Sequence, residues 1–281
     1  PEKEIEKEKE VVLDEINVYL DTPSDQIYDD FESQVFQNHS LGKAILGTAD
    51  SVRSFNKSMI ESYTSRLYKS RNMVFSSVGN ISVSKLKQKL EKHFAHLPTE
   101  EVTQQRDGFT PTKSEIIKVS KDTYQTHCVL GKAAYDVDER KRLSLILLNN
   151  VLGGPAMNSI LNLKVREKYG YTYNIESNYS TYTDSGLFSI YLASDPKYMN
   201  RCITAIEREL KNSRQQKMSA TKLSLAKQQL KGQIAISRES NNNMMLSYAK
   251  SLLVHNEIDS IETTHNKIDQ LSAEELLDAA N

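Results

Sequence analysis

The sequence predicts an α+β fold built in two units, and three observations carry that expectation. Helical runs with apolar residues at three- and four-residue spacing occupy both ends of the chain, short β-like runs sit between them, and a polar stretch of little periodicity falls near residue 110. The 281 residues are 38% hydrophobic and 26% charged, enough apolar material for a proper core.

From the N-terminus, EKEIEKEKEVVLDEINVYL places Ile5, Val12, Ile16 and Leu20 near helical spacing among dense charges, a long helix with one buried stripe that ends before Pro23. A second helix follows in DTPSDQIYDDFESQVF, with Thr22 or Ser24 as its cap, and then a loop through Gly42 and Gly47. SVRSFNKSMIESYTSRLY reads as a third helix and NMVFSSVGN as a short strand. Ser82 caps a fourth helix through Val83, Leu86, Leu90 and Phe94. The stretch TEEVTQQRDGFTPTKSE is the expected linker, dividing the chain into 1–110 and 111–281.

In the second part EIIKVS and QTHCVLGKAAY are β-like, and a helix through Leu143, Ile146, Leu147 and Val151 ends at Gly153 and Gly154. Another helix is expected from about Pro155 to Lys168. A hairpin then alternates Tyr171, Tyr173, Ile175, Ser177 and Tyr179 on one face and returns as GLFSIYLAS after Asp184-Ser185-Gly186. Helical patterns over 198–213, 220–238, 243–254 and 260 to the end complete the chain.

Lys+Arg of 36 against Asp+Glu of 37 leaves a formal net charge of -1, so global charge draws the chain toward neither nucleic acid nor anionic lipid. No apolar stretch reaches the roughly 20 residues of a membrane span, and no N-terminal signal is visible. Cys128 and Cys202 form neither a disulfide framework nor a Cys-x-x-Cys pair, which suits a reducing compartment. Pro1 lies inside an already helical pattern and Asn281 closely follows another, so both ends read as cut from a longer polypeptide.

Two constellations could carry chemistry. Glu8 and Glu15 are seven residues apart and project from nearly the same side of the first helix, where a carboxylate can ligate or support a metal. By residue type alone, such a pair in so charged a helix is a solvated face. Arg166 suits the last turn of its helix through the macrodipole, and Tyr173 the inward face of its strand; either can also contact a substrate. His93 and His96 have only Phe94 and Ala95 between them, the end of a surface helix rather than a metal site.

Five stretches in order, EIEKEKEVVLDEI, HSLGKAILGT, RNMVFSSVGN, QTHCVLGKAAY and VLGGPAMNSILNLKVREKYGYTY, resemble the pitrilysin-type zinc metallopeptidase family, in its mitochondrial-processing-peptidase-like branch. The resemblance implies two related metallohydrolase-like units facing each other across a chamber, with mainly antiparallel sheets covered by helices on one face and the first unit truncated. It places Glu15 at the third zinc ligand and Glu8 at the glutamate behind the metal. The remaining ligands belong to an H-x-x-E-H motif, whose histidines bind zinc and whose Glu activates water. That motif is absent from this sequence.

By the same resemblance Arg166 grips a substrate carbonyl or carboxylate and Tyr173 donates to the developing oxyanion. One departure is Ile160 where the family places an arginine after the glycines. The implied function is that of a fragment of a zinc-dependent metalloendopeptidase acting on peptides or unfolded polypeptides. Zn2+ is expected in the full-length parent and not in this fragment, which is expected to be inactive alone. The alternative is a non-catalytic family subunit that binds or scaffolds an active peptidase. A homodimer or a heterodimer with a paralogue, no nucleic acid, no membrane span and a cytoplasmic location complete the expectation.

Overall fold

The computed structural model describes residues 1–102, 108–113 and 115–281. The expected linker over 99–115 lies in part, at 103–107 and 114, outside the described residues. In chain order the helices α1 (Glu2–Leu20), α2 (Pro23–Val35), α3 (Ala49–Ser54), α4 (Lys57–Leu67) and α5 (Val83–Phe94) precede strand β1 (Thr126–Ala134). Helix α6 (Arg142–Gly153), a π-helical segment (Asn162–Lys168), and strands β2 (Asn174–Thr181) and β3 (Gly186–Ser194) follow. The chain closes on α7 (Pro196–Gln215), α8 (Ala220–Arg238), α9 (Asn241–His255), α10 (Ile261–Gln270) and α11 (Ala273–Ala280). It is an α+β fold with an antiparallel sheet.

The residues gather into two compact units. One comprises Pro1–Val11, Asp50–Arg106 and Lys231–Asn266; the other comprises Val12–Ala49, Asp107–Leu230 and Lys267–Asn281. In the first, side-chain caps start the helices: Asn56 Oδ1 accepts from Met59 N at 3.1 Å and Ser82 Oγ from Lys85 N at 3.4 Å. Val52 is the one fully buried large apolar side chain among its described residues, while Tyr63 and Phe75 are exposed. The strand expected in NMVFSSVGN is a correction: residues 73–78 belong to no sheet among the described residues. A strand exists only through a partner, and local sequence cannot supply one. EIIKVS fails for the same reason, with Ile116 and Ile117 exposed and unpaired with any sheet.

The second unit is organised by a three-stranded sheet of order β1-β3-β2, both pairings antiparallel, with Thr126 opposite Ser194 and Thr181 opposite Gly186. Central β3 is buried along almost its whole length. Ile190 and Leu192 of β3 and Ile175 of β2 meet Leu161, Val165, Met199, Cys202 and Ile206, so the π-helical segment and α7 cover this face. Leu145, Leu148 and Leu152 of α6 form a second cluster with Ala279 of α11. Burial on this scale, at roughly 25 cal/mol per Å² of apolar surface, is the main force holding the unit together.

Helix α2 lies across the opposite face. Tyr28 stacks on Tyr191 of β3 with centroids 5.4 Å apart, and its hydroxyl donates to Glu176 Oε1 of β2 at 2.9 Å. The loop after α2 is tied to the hairpin turn by His39 Nε2, 3.3 Å from Asp184 Oδ2.

Several helix ends differ from the sequence reading for identifiable reasons. Thr22 stands at the N-cap of α2 but its hydroxyl donates to Val18 O at 2.9 Å, and the adjacent Pro23 starts the helix instead. The helix expected from Pro155 begins only near residue 160, because 154–159 forms turns. The last helical run splits into α10 and α11 at Ser272, whose hydroxyl accepts from Glu275 N while Glu275 Oε2 accepts from Ser272 N at 2.7 Å, a capping box that restarts the helix.

Candidate functional site

Arg166 lies in the last turn of the π-helical segment, and Tyr173 on the turn that connects that segment to β2. Val165 anchors one end in the core at 0% exposure. Tyr171 N donates to Val165 O at 3.2 Å and Gly170 N to Arg166 O at 3.0 Å, with Gly170 in the left-handed region at φ +61°. The other end is pinned where the Thr172 hydroxyl donates to the Ala193 and Asn174 carbonyls. A turn fixed at both ends has already lost most of its backbone freedom on folding.

Arg166 is half-exposed, with Nε 3.8 Å from Glu167 Oε1. Tyr173 does not belong to the inward face of β2, as its residue pattern suggested. It precedes the strand, is 85% exposed, and its hydroxyl forms no hydrogen bond among the described residues. A large aromatic ring left in water on a rigid turn has no packing role, and its hydroxyl is free to donate.

Glu8 and Glu15 both lie on α1 and are exposed. Glu8 falls in the first compact unit, and Glu15 in the second together with Arg166 and Tyr173. Among the described residues no three His, Cys, Asp or Glu side chains come together as a metal-binding group. Glu8 and Glu15 are two donors, fewer than the three protein ligands that a catalytic zinc needs beside its open water position. His93 and His96 are exposed at the end of α5.

Burial pushes the Cys128 thiol up to about 11, and Cys202 is buried and also raised, so neither supplies a thiolate nucleophile at neutral pH. A cavity of about 690 Å³ beside α6, α7 and α8 holds none of the four site residues. Gln229 bridges Asn150 and Asn158 there, at 3.1 and 2.8 Å.

Two side-chain groups escaped the sequence reading. His127 Nδ1 lies 2.9 Å from the Tyr191 hydroxyl, beside the Tyr28–Glu176 bond, and burial holds His127 below its ordinary value. The rings of Tyr169, Tyr171 and Tyr198 stack in series under several cations. Both groups join elements distant in sequence, so no local spacing announces them.

The architecture is that of a peptidase-family domain. It superposes on a protease from Helicobacter pylori with a TM-score of 0.87 over 100% of this chain and 69% of that one, at 18% identity. It superposes on a peptidase M16 inactive domain from Pseudomonas fluorescens with a TM-score of 0.86 over 99% of this chain and 67% of that one, also at 18%. The chain belongs to the peptidase M16 family: the family model described as the peptidase M16 inactive domain matches residues 54–230. A Bacillus subtilis (strain 168) protein named as an uncharacterized zinc protease, YmxG, is 33% identical over 97% of this chain and 66% of its own length. The chain thus spans about two thirds of the relatives it matches. The resemblance read from the motifs holds at the level of the family. No helix among the described residues is long and apolar enough to cross a membrane.

Proposed function

We propose that this chain is the ligand-completing and substrate-positioning part of a zinc-dependent metalloendopeptidase acting on peptides or unfolded polypeptides. The observation that carries the reading is the exposed Tyr173 hydroxyl on a pinned turn directly after the π-helical segment that bears Arg166, in a family whose curated relatives are named zinc proteases. Residues 1–110 would belong to the zinc-binding domain and 111–281 to the substrate-positioning domain, a division by order along the chain; the compact units gather segments from both parts. Glu15 would be one zinc ligand and Glu8 its support, with histidines supplied from outside this chain.

The Tyr173 hydroxyl can donate to a developing oxyanion, and the Arg166 guanidinium can fix a carbonyl or carboxylate of the substrate by a forked pair of N–H donors. In an active polypeptide containing this chain, Tyr173→Phe is expected to lower kcat by about 10²-fold, the scale of one oxyanion donor, while metal content stays constant. An unchanged kcat, measured by steady-state peptide hydrolysis, would remove Tyr173 from the site. The isolated chain is expected to give no tight one-to-one zinc binding by calorimetry; a tight stoichiometric isotherm there contradicts the reading of Glu15 as one donor among several.

A second reading, a non-catalytic subunit that binds or scaffolds an active paralogue as a dimer, draws support from the matching family model, which is described as an inactive domain. Zinc analysis and peptide hydrolysis by the longer polypeptide separate the two readings. A cytoplasmic location fits the free cysteines.

A further inference from the structure

The tyrosine stack is continuous with the turn described above, since Tyr169 and Tyr171 lie between Arg166 and Tyr173. Ring centroids are 5.3 Å apart from Tyr169 to Tyr171 and 5.3 Å apart from Tyr171 to Tyr198, with interplanar angles of 17° and 21°. Four cations surround the stack. Arg208 lies 5.7 Å from the Tyr169 ring and donates to its hydroxyl at 2.9 Å; Lys168 is 5.5 Å from the same ring. Lys197 is 4.9 Å from Tyr198. Arg201 sits over two rings at once, 5.9 Å from Tyr171 and 6.0 Å from Tyr198.

These cations are not equally satisfied. Lys197 pairs with Asp195 at 3.4 Å and Arg208 with Glu209 at 3.3 Å. Arg201 and Lys168 are exposed and form no ion pair among the described residues. A guanidinium beside aromatic rings gains from their quadrupoles and keeps N–H donors for a carboxylate or phosphate. The local field is positive: the hydrogen bond from Arg208, with the charges of Arg208, Lys168 and Lys164, holds the Tyr169 phenol below its ordinary value.

We infer that Arg201, supported by Lys168 on the Tyr169–Tyr171–Tyr198 stack, is a docking point for an acidic side chain of the bound polypeptide, beyond the segment held at Tyr173. The inference rests on the peptide-binding reading and deepens it by naming a substrate class. Three features favour a peptide carboxylate over a polyanion. Of the four cations beside the rings, two lack a carboxylate partner among the described residues, which matches one or two acidic residues. The tyrosine faces are turned to one another, so bases have little ring surface on which to stack. The net charge of the chain is -1, which gives no long-range attraction to nucleic acid or an anionic membrane.

The test is fluorescence anisotropy on the whole chain, with labelled peptides of equal length that carry either a Glu pair or a Gln pair and are otherwise identical. The Glu peptide is expected to bind about tenfold tighter, the scale of hydrogen bonds to a charged group, and the preference should shrink as salt rises. Arg201→Gln should abolish the preference and Arg201→Lys restore part of it, because a lysine keeps the charge without the fork. Circular dichroism should be unchanged for both, since Arg201 is exposed.

Equal binding of the two peptides by the wild type, a preference that survives in Arg201→Gln, or Arg201-dependent binding of a single-stranded oligonucleotide or anionic vesicles tighter than that of the Glu peptide would overturn the inference. Equal peptide binding would leave the peptidase reading intact. An Arg201-dependent Glu preference in a longer polypeptide that neither binds zinc nor cleaves peptides would support the docking point and remove the peptidase reading.

Discussion

Glu15→Gln, made in a longer polypeptide that joins this chain to an H-x-x-E-H helix, is expected to strip bound zinc and with it peptide hydrolysis. The amide is nearly the same size and shape as the carboxylate, but it is neutral and a far poorer donor to a dication. A site reduced to two protein ligands cannot hold a catalytic zinc at ordinary metal concentrations. Glu15 is exposed on α1, so the change should move folding stability by no more than about 0.5 kcal/mol. Loss of metal would therefore not be a consequence of unfolding.

Glu8→Gln provides the graded comparison. As a supporting residue rather than a ligand, it should weaken metal affinity by about 10- to 100-fold. Metal analysis after dialysis against a weak chelator, with turnover measured on the same samples, reads both effects. Zinc content and turnover equal to wild type in Glu15→Gln would end the ligand assignment. Equal losses in the two variants would show that the carboxylates act as a pair.

The sequence expressed its helices well because an amphipathic helix is a local object. The periodic stretches at α5, α7, α8 and α9, and the Ser82 cap, lie where spacing and capping chemistry place them, whereas the run expected as one helix over 51–68 breaks into α3 and α4 because the Asn56 side chain caps a new helix. The β2–β3 hairpin was legible for the same reason, since its turn residues and alternation sit within one short segment. Residues 73–78 and 115–120 were not, because apolar β-branched composition describes a strand's side chains and says nothing of its partner. For the site, the motif order identified the family, and structure altered one residue's meaning. Tyr173 alternates with Tyr171 and Ile175 in sequence but stands outside β2, because Thr172 is tied to Ala193 before the strand begins. The tyrosine stack and the Tyr28–Glu176 bond were illegible, joining residues 29 and 148 positions apart at their ends.

Gly131→Ala is expected to cost about 3 kcal/mol of stability, whereas Gly232→Ala should gain about 0.5–1 kcal/mol. Gly131 lies in β1 opposite Ser189 of β3. A methyl group there would overlap the Phe188 carbonyl oxygen and come within 2.9 Å of Ser189 Cα and 3.0 Å of Phe31 Cζ. The first two obstacles are backbone of the central strand, which cannot yield without parting the β1–β3 ladder, and the third belongs to α2 on the open face of the sheet. The substitution thus strains the sheet and its α2 cover together. Gly232 occurs within α8, where an added Cβ meets nothing within 4 Å. Alanine there only reduces the freedom of the unfolded chain and raises helix propensity. Urea unfolding of the two variants compared with wild type measures both signs. An unmoved midpoint in Gly131→Ala would mean that α2 and β3 do not close on β1 at this position, and the packing that fixes the α2 face would have to be abandoned with it.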